Sequence, residues 1–318
     1  MSGPALWSVV GVVIQVLLVV LGAPLLVALM RQVRARLEGR AGAGLGQPWR
    51  DLRKQLRKEP IAPDGSTVVF TAAPVVALSS ALLIVAAIPL ITTTSPLDDV
   101  ADLYAVVSLL LVGSVAMALA GIDTGSAFGG MGSSRTITVA ALAEPTLLVA
   151  GFALSVRVGS SNLGSLVEHA QRAPSVVLSP ATLLAAAALW IVVVAEAGRL
   201  PVDNPATHLE LTMIHEATTL EYAGRDLALV ELGSAIRLTI LLGLWGNLFL
   251  PWGVATTVTP GALALGVLVM VVKVAVLGAA LGASEVFMAK WRLFRVPELL
   301  AGSFLFGVLA VSSSFFLA

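Results

Sequence analysis

Several acidic and basic residues of this chain lie inside or at the ends of long apolar segments, where a charge is costly. A charged side chain near the centre of a bilayer costs roughly 2.5–3.5 kcal/mol on the mildest scale, so such residues usually face a protein interior or a water-filled path. The residues are Glu144, Glu196, Arg199, Glu231, Arg237, Lys273 and Glu285. Because apolar surroundings disfavour an ionised carboxylate, a carboxyl group placed there can accept and release protons. The pattern favours a proton or ion relay; the alternative is structural ion pairing, for example of Glu144 or Glu231 with Lys273.

The segment 196–234 carries the densest set of polar side chains. Besides Glu196 and Arg199 it contains Asp203, His208, Glu210, Glu216 and Glu221. His215 and Glu216 resemble the start of a zinc protease motif, but Thr219 stands where the second histidine would be needed. A metal site built from His208 and His215 alone is the remaining alternative, and we predict none. No nucleophile and base are arranged for covalent catalysis, so no catalytic residue is predicted.

Eight long apolar runs must position these residues. They cover approximately residues 4–30, 67–91, 103–121, 136–156, 180–195, 235–252, 261–282 and 299–318. An α-helix needs about 20 apolar residues to cross the ~30 Å hydrocarbon layer, and the backbone must satisfy its own hydrogen bonds there. With 58% hydrophobic residues overall, the chain is predicted to be an all-α polytopic membrane protein with eight transmembrane helices.

The distribution of Lys and Arg predicts the orientation. The segment after the first run holds nine of the 19 basic residues, whereas the loops on the opposite side hold only Arg157 and Arg172. The positive-inside rule then places both termini outside and the large loops in the cytoplasm. These loops span about 31–66, 122–135, 196–234 and 284–298. The chain is expected to form a single membrane domain, residues 1–318, in the cell's inner or plasma membrane.

Two of the predicted loops have a recognisable character. Trp49, Leu52 and Leu56 recur at helical spacing among basic residues, which favours a short amphipathic helix at the headgroup level; a solvated basic tether is the alternative. The glycine-rich stretch 123–135 lacks the strand and the Gly-Lys-Ser/Thr of a phosphate-binding loop, so we expect a tight connection between two helices. The chain has no cysteine, so thiolate-ligated metal centres would have to belong to partner subunits.

The residues from Glu196 to Pro205, Glu-Ala-Gly-Arg-Leu-Pro-Val-Asp-Asn-Pro, are similar to a signature of the membrane subunit of complex I known as the NADH-quinone oxidoreductase H subunit. Further matches are Glu210, Glu216, Glu221-Tyr222, Glu144 before a proline, Glu231, Lys273, and the first-loop run that contains Arg36, Gly39 and Arg40. The stretch from Asp203 to Glu216 and the run Arg292-Leu-Phe-Arg-Val-Pro-Glu298 resemble instead the homologous component of group 4 nickel–iron hydrogenases of the formate hydrogenlyase type. The resemblance covers nearly the whole chain.

This resemblance implies a non-catalytic membrane anchor for the hydrogenase large and small subunits, with nickel–iron and iron–sulfur centres in those partners and none in this chain. Other membrane subunits and the lipid bilayer would be further partners, and no nucleic acid is expected. Junction candidates are Arg36, Gly39, Arg40, Glu196, Arg199, Asp203, His208 and Glu210. Proton-path candidates are Glu144, Glu216, Glu221, Glu231 and Lys273. The alternatives are a complex I H subunit with a quinone site, or a stand-alone ion or proton transporter.

Overall fold

The computed structural model describes residues 3–199, 202, 214–288 and 295–316. Within these residues the chain is helical and contains no strand; a single turn of 3-10 helix covers Asp98–Val100. The helices are α1 Gly3–Leu37, α2 Gln47–Leu56, α3 Val68–Ala87, α4 Leu103–Asp123, α5 Ala127–Val158, α6 Leu163–Arg172, α7 Pro174–Val177, α8 Pro180–Glu196, α9 His215–Thr219, α10 Gly224–Phe249, α11 Pro260–Phe287 and α12 Val296–Phe316.

Seven of the described helices are long and apolar enough to cross a membrane: α1, α3, α4, α5, α10, α11 and α12. The eighth predicted crossing corresponds to α8, which is apolar but only 17 residues long and therefore about 25 Å in length. The all-α membrane fold is confirmed, and the number of crossings is seven by length or eight with α8.

Contacts between loops define two faces of the bundle. On one face, Thr92 pairs with Ala255 and Asp102 with Asn162, which joins the α3–α4, α10–α11 and α5–α6 connections. On the other, Thr67 bonds to Asp123 at the end of α4. This second face, to which the described residues 36–67, 124–126, 197–199 and 214–223 contribute, is called the basic face below. Because α8 begins beside Arg157 at the end of α5 and ends at the turn that leads into the basic face, it crosses between the two.

Helix α10 forms the centre of the bundle and contacts α1, α2, α3, α8 and α11. In lipid, helices are held together mainly by van der Waals packing, which small residues make closer. Gly282 of α11 illustrates this, because a Cβ added there would lie 2.9 Å from the carbonyl oxygen of Met30 in α1. The polar side chains described below are therefore carried on a closely packed frame.

Most of the predicted loop 122–135 is helical, because residues 127–135 belong to α5. Ser126 caps the N-terminus of α5, its hydroxyl accepting a hydrogen bond from the amide of Gly129. Only Thr124, Gly125 and Ser126 connect α4 to α5. The glycines allow α4 and α5 to pack closely, since a Cβ on Gly121 would clash with Ser133 Oγ. The sequence prediction of a tightly packed junction is confirmed in that respect.

Two other elements differ from simple apolar runs. The predicted amphipathic helix is present as α2, with Leu52 buried against the bundle and Leu56 exposed. The second apolar run does not stay helical to residue 91, since α3 ends at Ala87, shortly before Pro89. Proline has no amide hydrogen and cannot continue the helical hydrogen-bond ladder. The chain then runs through the protein interior without regular structure, which membrane proteins tolerate only where neighbouring groups satisfy the backbone.

Candidate functional site

A cavity of about 540 Å³ lies at the end of the bundle that carries the basic face. Helices α1, α3, α4, α5 and α10 form its walls, and the side of α2 that carries Leu52 and Gln55 covers it. Apolar residues such as Val27, Ile84 and Leu238 alternate with polar ones. Its charged lining residues are Arg31, Arg34, Asp51, Glu196, Arg199, Glu216, Glu231, Arg237 and Glu285. Ion-paired residues as far as 251 positions apart along the chain meet here, because the helix ends converge.

Glu196 forms an ion pair with Arg237 in the wall of the cavity. The distance between Arg237 Nη2 and Glu196 Oε2 is 2.6 Å, and the Glu196 side chain is 6% exposed. Arg237 Nη1 also donates a hydrogen bond to the carbonyl oxygen of Leu110, at 3.0 Å. The guanidinium thus joins α10 to both α8 and α4, and it neutralises the carboxylate at the point where α8 ends.

Glu285, near the end of α11, has two arginines beside it. Arg34 Nη1 donates to Glu285 Oε2 at 3.3 Å, and Arg199 Nη1 lies 3.4 Å from Oε1 without hydrogen-bond geometry. Burial lowers the pKa of the Arg199 guanidinium, and Glu285 opposes that effect; arginine keeps its proton in proteins nonetheless. Arg199 was predicted at a partner junction, yet in this structure it is largely buried and paired within its own chain.

Glu231 and Glu216 line the cavity from α10 and α9. Glu231 Oε1 accepts a hydrogen bond from Gln55 Nε2 at 3.1 Å, so α2 contacts a predicted proton-path residue directly. Glu216 lies within electrostatic range of Arg199. Both predicted residues therefore share one cavity with the Glu196–Arg237 and Glu285–Arg34 pairs.

Glu144 lies just behind the cavity wall. Its side chain is 6% exposed, and its Oε1 is 3.5 Å from the hydroxyl of Ser114, which lines the cavity. Thr136 and Ala140 of the same helix line the cavity too, and Ala140 is one helical turn from Glu144. Glu196 and Arg237 are close enough to act on Glu144 electrostatically. Ser114 thus contacts both the cavity and Glu144.

Lys273 does not belong to this set. Its ammonium donates to Asn247 Oδ1 at 3.1 Å, and Asn247 is 16 residues after Glu231 in α10, about 24 Å along the helix axis. The alternative that Glu144 or Glu231 forms an ion pair with Lys273 is therefore wrong. Whether Lys273 takes part in a proton path stays a prediction, but the structure separates it from the other candidates.

Glu221 lies at the junction of α9 and α10 and bonds to Ser126 Oγ at 2.5 Å. Its neighbour Tyr222 stacks on Phe70 with ring centroids 4.3 Å apart and donates to that residue's carbonyl oxygen. Burial raises the pKa of the Tyr222 phenol. Glu221 is not among the residues that line the cavity. Its bond to Ser126 instead links the segment between α8 and α10 to the start of α5.

The first-loop junction candidates are exposed on the basic face. Arg36 is in the last turn of α1, Gly39 has φ +73°, and Arg40 pairs with Glu38. Asp203, His208 and Glu210 lie outside the described residues. Among the described residues, no group of three or more His, Asp or Glu is placed to hold a metal ion. Gln55 and Ser114 were not predicted from the sequence, although a polar residue inside an apolar run, as Ser114 is, was a usable signal.

Comparison with known proteins places this arrangement in a family. Residues 9–314 match the family model described as NADH dehydrogenase. The chain is 32% identical to formate hydrogenlyase subunit 4 of Escherichia coli (strain K12) over 306 residues, which cover 96% of this chain and 98% of that protein. It is 31% identical to hydrogenase-4 component C of the same strain over 282 residues, with 89% and 88% coverage.

A more distant relative is an NADH-quinone oxidoreductase H subunit (the second of that name) of Syntrophobacter fumaroxidans, 31% identical over 256 residues, which cover 75% of each chain. Among solved structures, a chain of the membrane-bound sulfane sulfur reductase, an archaeal respiratory membrane complex, superposes with a TM-score of 0.78. It shares 21% identity and covers 96% of this chain and 99% of its own length, and it supports the fold alone. The chain belongs to the NADH dehydrogenase family and is a multi-pass membrane subunit of a complex-I-related oxidoreductase.

Proposed function

We propose that this chain anchors a soluble nickel–iron hydrogenase module, its large and small subunits, to the membrane at the basic face. The proposal is supported by similarity to two hydrogenase-type relatives over 96% and 89% of the chain, against 75% for the complex I relative. The outer side of α2 presents Arg50, Arg53 and Lys54, the end of α1 presents Arg36, and the segment after α1 presents Arg40. The predicted junction also includes Asp203, His208 and Glu210. The metal centres would reside in the soluble partners.

We further propose that the cavity is the start of a proton path into the membrane. The observation that supports this proposal is the position of Glu144, which is buried and contacts Ser114, a residue that lines the polar cavity. Protons would enter among the carboxylates of the cavity, with Glu216 and Glu231 on its rim, and reach Glu144 through the Ser114 hydroxyl. A serine hydroxyl both donates and accepts hydrogen bonds, as a relay between two acids requires.

The choice of carriers follows from their partners. A guanidinium favours the ionised form of a carboxylate beside it, so Glu196 and Glu285, which contact arginines, are poor carriers. Glu144 and Glu231 instead have neutral hydrogen-bond partners, Ser114 and Gln55. We therefore assign the transfer to this second pair.

The test is replacement of Glu144 by Gln. Glutamine keeps the volume and most of the hydrogen-bonding capacity, but it has no carboxyl group that can take up and release a proton. The matched control is Glu168→Gln, a carboxylate on the opposite face that contacts Thr93 and Arg172. Membranes are compared for content of the assembled complex and for proton movement linked to hydrogen turnover. We expect normal assembly in both variants and a loss of coupled proton movement in Glu144→Gln only. Unchanged proton movement in Glu144→Gln would exclude it as an obligatory carrier.

A complex I H subunit with a quinone site is the second candidate, and the cavity favours it. A volume of about 540 Å³ lies within the range of small-molecule pockets, about 300–1,000 Å³, and mixed apolar and polar walls would suit a quinone. Affinity purification from native membranes separates the two. Recovery of nickel–iron subunits, with hydrogen turnover that persists after quinone extraction, supports the anchor proposal. Recovery of a quinone-reducing NADH dehydrogenase selects the alternative.

The orientation of the protein in the plasma membrane is part of the same proposal. The surplus of Lys and Arg on the basic face predicts that this face is cytoplasmic and that both termini lie on the outer side of the plasma membrane. A hydrogenase module docked on the basic face would then be cytoplasmic.

A further inference from the structure

Lys273 is a charged residue in the membrane that has no carboxylate partner among the described residues. It lies about 20 Å from either end of α11, counted at 1.5 Å per residue. An ammonium group has three donors and no acceptor. Within the described residues its only hydrogen-bond acceptor is Asn247 Oδ1, at 3.1 Å, and no carboxylate forms an ion pair with it.

Asn247 holds the lysine in one position. Both hydrogens of its amide nitrogen are used by the carbonyl oxygens of Pro89 and Leu90, each at 2.9 Å. Only the amide oxygen is left for Lys273. Gln15 of α1 binds the same irregular stretch after α3, donating to Ile88 and accepting from Leu90. The ammonium is therefore fixed against a rigid, neutral polar group.

The other side of Lys273 is open towards the bilayer. The residue is half-buried and lies at the edge of the packed face of α11, between buried Met270 and Val274 on one side and exposed Val272 and Val276 on the other. Val272 is 51% and Val276 61% exposed. A charge at this depth normally has an ionic partner, because a bilayer offers none.

We infer that another membrane subunit of the complex packs against the exposed face of α11 around Val272 and Val276, and that an Asp or Glu within its membrane-spanning segment forms an ion pair with Lys273. The positive charge fixed at the edge of an apolar face selects a helix with a carboxylate at the same depth. The inference requires only that the chain is one subunit of a membrane complex. It does not depend on which soluble module occupies the basic face.

The experiment uses the complete complex in native membranes and dicyclohexylcarbodiimide, a membrane-permeant reagent that couples an amine to a carboxyl group in contact with it. We expect mass spectrometry to find the Lys273 peptide joined to an acidic residue within an apolar segment of another subunit. Lys273→Met removes the coupled peptide and weakens retention of that subunit about threefold or more on detergent washing. Lys273→Arg is the matched control, because it keeps the charge and the association but cannot be coupled.

The inference is overturned if the Lys273 peptide of the natural complex is recovered uncoupled, or coupled only within this chain or to lipid. It is also overturned if Lys273→Met retains every membrane subunit as well as Lys273→Arg does. If Lys273→Met does not accumulate in membranes, the coupling result on the natural complex decides alone. A different soluble module found in the same preparation would contradict the proposed function and leave this result standing.

Discussion

Replacing Arg237 by Met should destabilise the protein strongly, because it leaves a carboxylate without its counter-ion in the cavity wall. Glu196 Oε2 is 2.6 Å from Arg237 Nη2, with side-chain exposures of 6% and 19%. Removing one member of a buried ion pair typically costs about 3–5 kcal/mol, most of it from the charge left unpaired. Water in the adjacent cavity can partly solvate Glu196, so we expect the lower end, about 3 kcal/mol. Leu110 would also lose one donor to its carbonyl oxygen.

The assay is the free energy of unfolding in mixed detergent micelles, with a double-mutant cycle. Glu196→Gln removes the other charge and leaves Arg237 bonded to Leu110, so we expect a smaller loss, about 1.5–3 kcal/mol. The double variant, Arg237→Met with Glu196→Gln, has no unpaired charge and should recover most of the stability lost by Arg237→Met alone. A loss below about 1 kcal/mol in Arg237→Met would match an exposed ion pair and contradict this reasoning. The reasoning would also be contradicted if the double variant lost as much stability as the two single variants lose together.

Three further results are expected. Gly121→Val should displace α9 and make the third loop more sensitive to protease, because even a Cβ would lie 2.9 Å from Thr218; Gly130→Ala, which has no neighbour within 4 Å, should not. Single cysteines at Lys54 and Asp99, both exposed, should be labelled by an impermeant maleimide from opposite sides of the membrane, and labelling from one side contradicts the topology. Gln15→Leu should lower the free energy of unfolding of the purified protein by about 1–3 kcal/mol for each backbone group that it leaves unpaired, the carbonyl oxygen of Val85 and the amide of Ile91; unchanged stability would mean that water replaces the glutamine.

The membrane helices were predictable because the bilayer imposes both their length and their internal hydrogen bonding. The ends of these helices were less predictable, for two different reasons. Helix α1 continues to Leu37 through a basic segment that hydropathy reads as a loop. Helix α5 begins nine residues before the predicted span, at Ala127, because Ser126 caps it and its glycines pack against α4 and α9. Capping and close packing are local and tertiary effects that a hydropathy pattern does not contain.

The candidate site was predictable as a set of residues but not as a geometry. Costly charges in apolar segments singled out Glu144, Glu196, Glu231 and Arg237, which the structure places in or next to one cavity; their role stays a prediction. Which of them meet depends on contacts across 41 or more sequence positions, as for Glu196 and Arg237. The proposed pairing of Lys273 with an acid of this chain failed for the same reason. The presence of a charge in an apolar segment does not predict the depth at which it meets the side chains of a neighbouring helix.

The double variant of Glu196 and Arg237 also tests the assignment of proton carriers. If Glu196 only balances the guanidinium, the stable double variant should still move protons, because Ser114 and Glu144 keep their contact. If Glu196 carries protons itself, the same variant should be stable and uncoupled. Stability and coupled proton movement, measured on one preparation, therefore separate a structural ion pair from a relay. We expect normal coupling in the double variant and its loss in Glu144→Gln; the opposite result would transfer the carrier role from Glu144 to Glu196.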